Sequence, residues 1–287
     1  MSYQIITDSC CDLTQDQLNA WDVSCVNLLL RYNEEDHRNF SDPAAVKAFY
    51  DLMRSGTMAT TAAANPDEWA DHMKPALEAG RDVLVITFSS GMSTTYQSAV
   101  IAAKDLQEEY PQRTILVVDS LCAALGQGLL VYHACKKRDE GMGIRELAAW
   151  LEENRLNLCH WVTVDDLAHL KRGGRISAAS AAVGTMLHVK PIIHVNDEGK
   201  LINTAKVRGR KAAIDFLVKK AQELGDGYDN ETMFVAHGDC PEDAAALEAA
   251  LKEKCGVKNV ITGYVGPVIG AHTGPGVLVV FFMGKQR

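Results

Sequence analysis

The chain has 287 residues, 47% of them hydrophobic and 23% charged, which is the balance of a globular protein and excludes a largely disordered one. That length allows two ordinary domains and a core able to wrap an apolar ligand. A formal net charge of −8 argues against broad nucleic-acid binding, because neutralising phosphates needs a concentrated basic face.

Met1–Cys10 lacks the basic start, apolar run and small-residue cleavage site of a secretory leader. Val277–Met283 is too short an apolar run to span a bilayer. A cytoplasmic location without stable membrane insertion is therefore expected. The eight cysteines form no C-x-x-C pair and sit among apolar neighbours, so they read as buried reduced thiols and no metal site is expected.

In chain order, strands are predicted over Tyr3–Thr7, Val23–Leu29, Asp82–Thr87 and Thr114–Val118, each short, β-rich and bounded by polar residues. Helical spacing marks Leu13–Trp21, Pro43–Met53, Pro66–Glu78 and Ser93–Glu109, with Pro43 and Pro66 suited to a first turn. This alternation predicts a parallel sheet covered on both faces. Helices over Gln127–Glu140 and Ile144–Arg155 close a first lobe, 1–157. A second lobe, 158–287, opens with a strand over Cys159–Val164, a basic turn and a helix over Ile176–Leu187. Pro191–Val195 and Lys200–Lys206 flank Asn196-Asp197-Glu198-Gly199, a hairpin signal that breaks the parallel pattern. A helix over Arg208–Leu224, a strand over Thr232–His237, a helix over Pro241–Lys254 and strands over Val260–Val265 and Val277–Met283 complete a mixed sheet. The cleft between two such lobes is the expected ligand site.

Five segments carry chemistry. Thr7-Asp8-Ser9 with Asp12-Leu13 follows the first strand, at the carboxyl end where parallel sheets bind ligands. Asp12 reads as a cap of the next helix, and Asp8 is open between capping and ligand contact. Ser89–Ala99 also follows a strand and opens a helix, whose N-terminus favours an anion, with Ser93 and Thr94 as added donors. Ordinary capping explains one hydroxyl there but not the cluster. A Ser nucleophile is the sharper alternative, yet Gly91-Met92-Ser93-Thr94-Thr95 is not a G-x-S-x-G elbow. Thr60-Thr61-Ala62-Ala63-Ala64-Asn65-Pro66 reads as a small-residue turn capped by Asn65. Gly263–Gly276 reads as a glycine-rich loop with no nucleotide fingerprint, and its His272 could face a carboxylate or be structural. Lys171, Arg172 and Arg175 on a Gly173-Gly174 turn form a positive spot, either a solvated face or a dock for an acidic partner.

In order and spacing these segments resemble the DegV family over essentially the whole chain. They are joined in this by Val118-Asp119-Ser120, Gly126-Gln127-Gly128, Lys190-Pro191-Ile192 and Val207-Arg208-Gly209-Arg210-Lys211. The resemblance implies an α/β fold of two lobes: an N-terminal three-layer α/β/α lobe with a parallel sheet and a C-terminal α/β lobe with a mixed sheet. It implies a bacterial lipid carrier with no cofactor of its own, holding a long-chain fatty acid such as palmitate between the lobes. It further implies that this carrier, not itself an enzyme, presents the lipid to a separate ATP-binding fatty acid kinase subunit for acyl phosphate formation. The carboxylate ligands implied are Thr61, Ser93 and His272, with Thr94 beside them, and Lys171, Arg172 and Arg175 are the expected docking cations. Two departures stand out: Ala62-Ala63-Ala64 replaces the family's Ser-Gln-Pro after the threonine, and Thr94 stands where glycine is usual. Competing readings are a serine hydrolase, a small-molecule kinase-like enzyme, and a regulatory module for another amphipathic acid.

Overall fold

The computed structural model describes residues 3–165, 167–177, 188–285 and 287. The first half runs β1 (Tyr3–Asp8), α1 (Gln15–Ala20), β2 (Val23–Val26), β3 (Leu29–Tyr32), β4 (Glu35–Arg38), α2 (Pro43–Arg54) and β5 (Thr60–Ala62). It continues with α3 (Pro66–Glu78), β6 (Asp82–Thr87), α4 (Thr95–Glu109), β7 (Ile115–Asp119), α5 (Leu125–Asp139) and α6 (Ile144–Asn154). The second half runs β8 (Leu158–Thr163), α7 (Ala168–Arg172), β9 (Val189–Val195), β10 (Leu201–Arg208), α8 (Arg210–Gly225) and β11 (Thr232–His237). It ends with α9 (Pro241–Cys255), β12 (Asn259–Tyr264), α10 (Pro267–Thr273) and β13 (Leu278–Met283).

The apolar runs of the first half form a parallel sheet in the order β2-β1-β6-β7. All six residues of β1 are buried, as expected of a strand covered by helices on both faces. The second half forms a mixed six-stranded sheet, β10-β9-β8-β13-β11-β12, in which only β11 and β12 run parallel. The α/β class, the parallel sheet and the mixed sheet are thus as expected. One apolar core runs through both halves, packing Leu84 and Leu129 with Phe234 and Phe281.

Four local expectations fail for identifiable reasons. The single strand expected over Val23–Leu29 divides: β2 stays in the parallel sheet, and β3 joins a separate antiparallel sheet, β4-β3-β5. The division falls where the Leu28 amide donates to Ser9 Oγ at 3.0 Å, drawing the chain out of the ladder. The turn at Thr60–Ala62 is β5, paired with β3 through Leu30 and Thr61. The glycine-rich loop contains α10, because four of its five glycines lie outside the helix: Gly266 caps it and Gly274 ends it at φ 80°. Within that helix Gly270 lies against Tyr50, where a Cβ would come 2.6 Å from the phenol oxygen. The cap expected of Asp12 belongs to Thr14, whose Oγ1 accepts from the Gln17 amide, while Asp12 sits at φ 54° after a short 3-10 turn. The helix expected over Ile176–Leu187 falls on 178–187, outside the described residues.

The hairpin is as expected, and its tip reaches the other half. Asn196 Oδ1 accepts from the amides of Glu198 and Lys200, folding the turn. Ser89 Oγ then donates to the Gly199 carbonyl at 2.8 Å, so the β9–β10 hairpin rests on the segment leading into α4.

Candidate functional site

A cavity of about 470 Å³ lies among residues from both halves. That is within the range of ordinary small-molecule sites, roughly 300–1,000 Å³. Strand faces supply its apolar wall: Val162 of β8, Ile193 and Val195 of β9, and Val279 and Phe281 of β13. These residues alternate along their strands because side chains at every second position share a face. Val268 and Ile269 of α10 and Phe88 and Met92 beyond β6 add further apolar surface.

The cavity is also lined by Thr61, Ser93, Thr94, Arg175 and His272. Thr61 Oγ1 and His272 Nε2 lie 2.8 Å apart although 211 positions separate them in the chain. β5 carries the threonine and the last turn of α10 the histidine, so this contact depends on the two elements the sequence reading had taken for a turn and a loop. Burial and the nearby Arg175 cation push the His272 ring down to about 4, so it is neutral at pH 7. Its Nδ1 is buried without a hydrogen-bond partner among the described residues. Gly173 faces that atom closely, and a Cβ there would come within 2.2 Å of it.

Ser93 Oγ lies 2.8 Å from Thr95 Oγ1 and accepts from the Thr95 amide at 3.2 Å. Thr94 occupies the N-cap of α4 without making a side-chain cap, which leaves the helix end available to an anion. Among the described residues Ser93 Oγ is bonded to Thr95 and to no histidine, and the Nε2 of His272 is engaged by Thr61. A nucleophile–base pair on Ser93, the serine singled out from the sequence, is therefore not assembled among the described residues.

The basic turn divides. Lys171 and Arg172 are exposed at the end of α7, while Leu170 of the same helix is buried and lines the cavity. Arg175 turns inward, its Nε donating to the Met92 carbonyl at 3.2 Å beside the cavity. Sequence reasoning grouped all three as surface cations. The paired glycines after Arg172 were the signal that the chain reverses there. His160, deep in the cavity, was not foreseen: it lies in a fully buried strand and its Nε2 accepts from the Ala123 amide. Among the described residues no three His, Cys, Asp or Glu side chains are grouped to hold a metal, and no helix is long and apolar enough to cross a membrane.

The family model of DegV proteins matches residues 2–285. The chain belongs to the DegV family. A DegV domain-containing protein of Clostridium perfringens is 41% identical over 99% of this chain and 98% of its own length. Another, from Lactococcus lactis, is 33% identical over 100% of this chain and 99% of its own. Among solved structures, a DegV lipid-binding protein of Thermotoga maritima superposes with a TM-score of 0.87 at 27% identity, covering 100% of both chains. A fatty-acid-binding DegV family protein of Thermus thermophilus gives 0.87 at 29% identity over 99% of this chain and 100% of its own. DegV of Bacillus subtilis, a fatty-acid-binding protein, gives 0.84 at 28% identity over the same shares, 99% and 100%. The α/β architecture of this DegV protein is therefore that of its solved relatives.

Proposed function

We propose that this DegV protein is a carrier that binds one long-chain fatty acid in the cavity between lobes 1–157 and 158–287. The observation that carries the reading is the Thr61–His272 contact, which joins a hydroxyl and an imidazole in a largely apolar cavity that Ser93 and Thr94 also line. In this reading Thr61, Ser93, Thr94 and His272 hold the carboxylate. Neutral donors can bind an acid group in a site too dry for a free ion, because each charge-assisted hydrogen bond replaces lost hydration. The strand-lined wall receives the acyl tail, each methylene contributing roughly 0.8 kcal/mol on burial. Ordering costs offset much of that sum, so the polar contacts decide which amphiphile is kept. The fatty-acid-binding relatives support the same reading.

Thr94 and Ala62 are exposed at the polar end, so a carboxylate held there remains within reach of a second protein. On this ground the carrier presents its acid to a separate ATP-binding kinase subunit, which forms the acyl phosphate, and performs no phosphoryl transfer itself. Lys171 and Arg172, exposed on α7 on the other side of the residues that line the cavity, are the docking cations. Arg175 serves the cavity side of the same turn, steadying Met92 and the segment that bears Ser93.

Mass spectrometry of natively purified protein tests the first claim: one long-chain fatty acid per chain is expected, and a ligand-free protein that also fails to take up added hexadecanoic acid overturns it. Arg172→Glu tests the second. It should leave lipid retention intact and lower acyl phosphate formation at least tenfold with a kinase subunit from the same organism, whereas equal rates refute the docking role.

A further inference from the structure

We propose that Asp8 and Asp119 are positioning residues that grip the Phe88–Ser93 segment from both sides and so set the direction of the Ser93 hydroxyl. The inference rests on the head-group reading above and assigns a role to two motifs that reading leaves unused. β1 and β7 flank β6 in the parallel sheet, and each ends on an aspartate followed by a serine. Asp8 is fully buried and Asp119 is 8% exposed. The two carboxylates make matching bonds. Each accepts from the amide two residues ahead, Cys10 for Asp8 at 3.0 Å and Leu121 for Asp119 at 3.1 Å. Each also reaches across to the segment after β6. Asp8 Oδ2 accepts from the Phe88 amide at 2.6 Å, and Asp119 Oδ1 accepts from the Ser90 amide at 3.1 Å.

Between these two anchors the Ser89 amide donates to the Cys122 carbonyl, and the Ser89 carbonyl accepts from the amides of Met92 and Ser93. The backbone leading to Ser93 is thus held at successive amides by the two flanking loops. No residue of this bracket needs to touch the ligand. A buried carboxylate costs free energy, and burial pushes Asp8 up to about 6. That cost is offset by the two amides it satisfies at the end of β1.

The two bonds of each aspartate are distributed differently, and this makes the proposal testable. Asp8 uses Oδ1 for one amide and Oδ2 for the other. An asparagine there must turn its NH2 toward one of the two N–H groups, a donor against a donor. Asp119 uses Oδ1 for both amides, so an asparagine can keep both bonds.

The test compares Asp8→Asn, Asp119→Asn, Asp119→Ala and Ser93→Ala by two measurements. One is amide hydrogen exchange across residues 88–93 in ligand-free protein. The other is the ratio of affinities for hexadecanoic acid and hexadecanol, which share a tail, so that general destabilisation cancels. Asp8→Asn and Asp119→Ala should raise segment exchange at least tenfold and lower the acid-over-alcohol ratio at least fivefold, and Asp119→Asn should fall short of Asp8→Asn by threefold or more in both. Combined with Ser93→Ala, Asp8→Asn should lower the ratio no further. Wild-type exchange in both Asp8→Asn and Asp119→Ala, or equal effects of the two asparagines, overturns the bracket, and if Asp8→Asn does not fold, Asp119→Ala decides alone. A ratio unmoved by Ser93→Ala while exchange rises in the aspartate variants overturns the head-group reading and leaves the bracket standing.

Discussion

The wall of the cavity and its polar end are built from different parts of the chain. Val162, Ile193, Val195, Val279 and Phe281 project from three adjacent strands of one sheet, each member of a strand two residues from the next. The polar end is made of element termini: Thr61 on an edge strand, Ser93 and Thr94 ahead of α4, Arg175 beyond α7 and His272 at the close of α10. A strand face is specified by its own alternation and tolerates apolar exchange. A cluster of termini exists only where separate elements meet, so displacing one of them by an ångström removes its contribution. The wall should therefore govern how tightly a tail is held, and the termini which head group is accepted.

The strongest challenge to this division is a charge in the wall. Ile193→Asp should lower retention of hexadecanoic acid at least a hundredfold, because an unpaired buried carboxylate costs several kcal/mol. Ile193→Val should stay within about fivefold, as a single methylene is worth roughly 0.8 kcal/mol, about a factor of four. Equal losses in the two would show that the wall is not the tail site; tryptophan-fluorescence unfolding monitors the fold in each. Removing a polar group is next in size. Ser93→Ala or His272→Ala should weaken acid binding about tenfold or more, the cost of roughly 1–3 kcal/mol for a lost charge-assisted hydrogen bond, and leave hexadecanol binding nearly unmoved. Unchanged acid affinity in both removes the proposed head-group site.

Gly173→Ala sharpens the comparison without touching a polar group. The new methyl would lie 2.2 Å from His272 Nδ1, so the ring must shift and its contact with Thr61 be lost. A several-fold fall in acid affinity, with hexadecanol spared, is expected by calorimetry; no change would show that the ring is not held in place by that turn.

The smallest effect is on the ligand-free protein. His272 is held down to about 4 against an ordinary value of 6.5, so between those values the unfolded chain binds a proton that the folded one refuses. Stability should fall as pH drops through that window and be independent of this group above it. His133, also pushed to about 4 by burial, contributes in the same direction. Urea unfolding at pH 7 and pH 5 should therefore show a difference in His272→Gln that is shifted from wild type by the loss of this one group. In both proteins His133 and the other buried histidines, such as His160, act in the same direction as His272, and Asp8, raised to about 6, acts in the opposite one. An identical pH dependence in the variant would place His272 in a more solvated setting than the one described.

The regular elements were legible because their signals are local. The helix over Pro66–Glu78 and the strand over Thr232–His237 fall where apolar spacing, capping residues and flanking turns place them. Family likeness, carried by the order of short motifs, pointed to Thr61, Ser93 and His272, and all three line one cavity. The small antiparallel sheet was not legible. Its strand β4, Glu35–Arg38, is polar throughout and no apolar alternation announces it. Nor was α10, since five glycines in fourteen residues outweigh a helix signal unless it is known that four of them fall outside the helix and that Gly270 packs against Tyr50.

From the sequence alone came the kinds of residue available at each end: apolar runs of strand period for a wall, and hydroxyls, a histidine and glycines after parallel strands for a polar site. Those properties reside in windows of a few residues, where period and turn chemistry act. Only the tertiary structure decided that His272 meets Thr61, that Arg175 faces inward while Lys171 and Arg172 face outward, and that Asp8 and Asp119 close on one segment. Each of these depends on contacts between elements far apart in the chain, fixed by which strands pair and how the sheets and helices pack, and no local pattern encodes such packing.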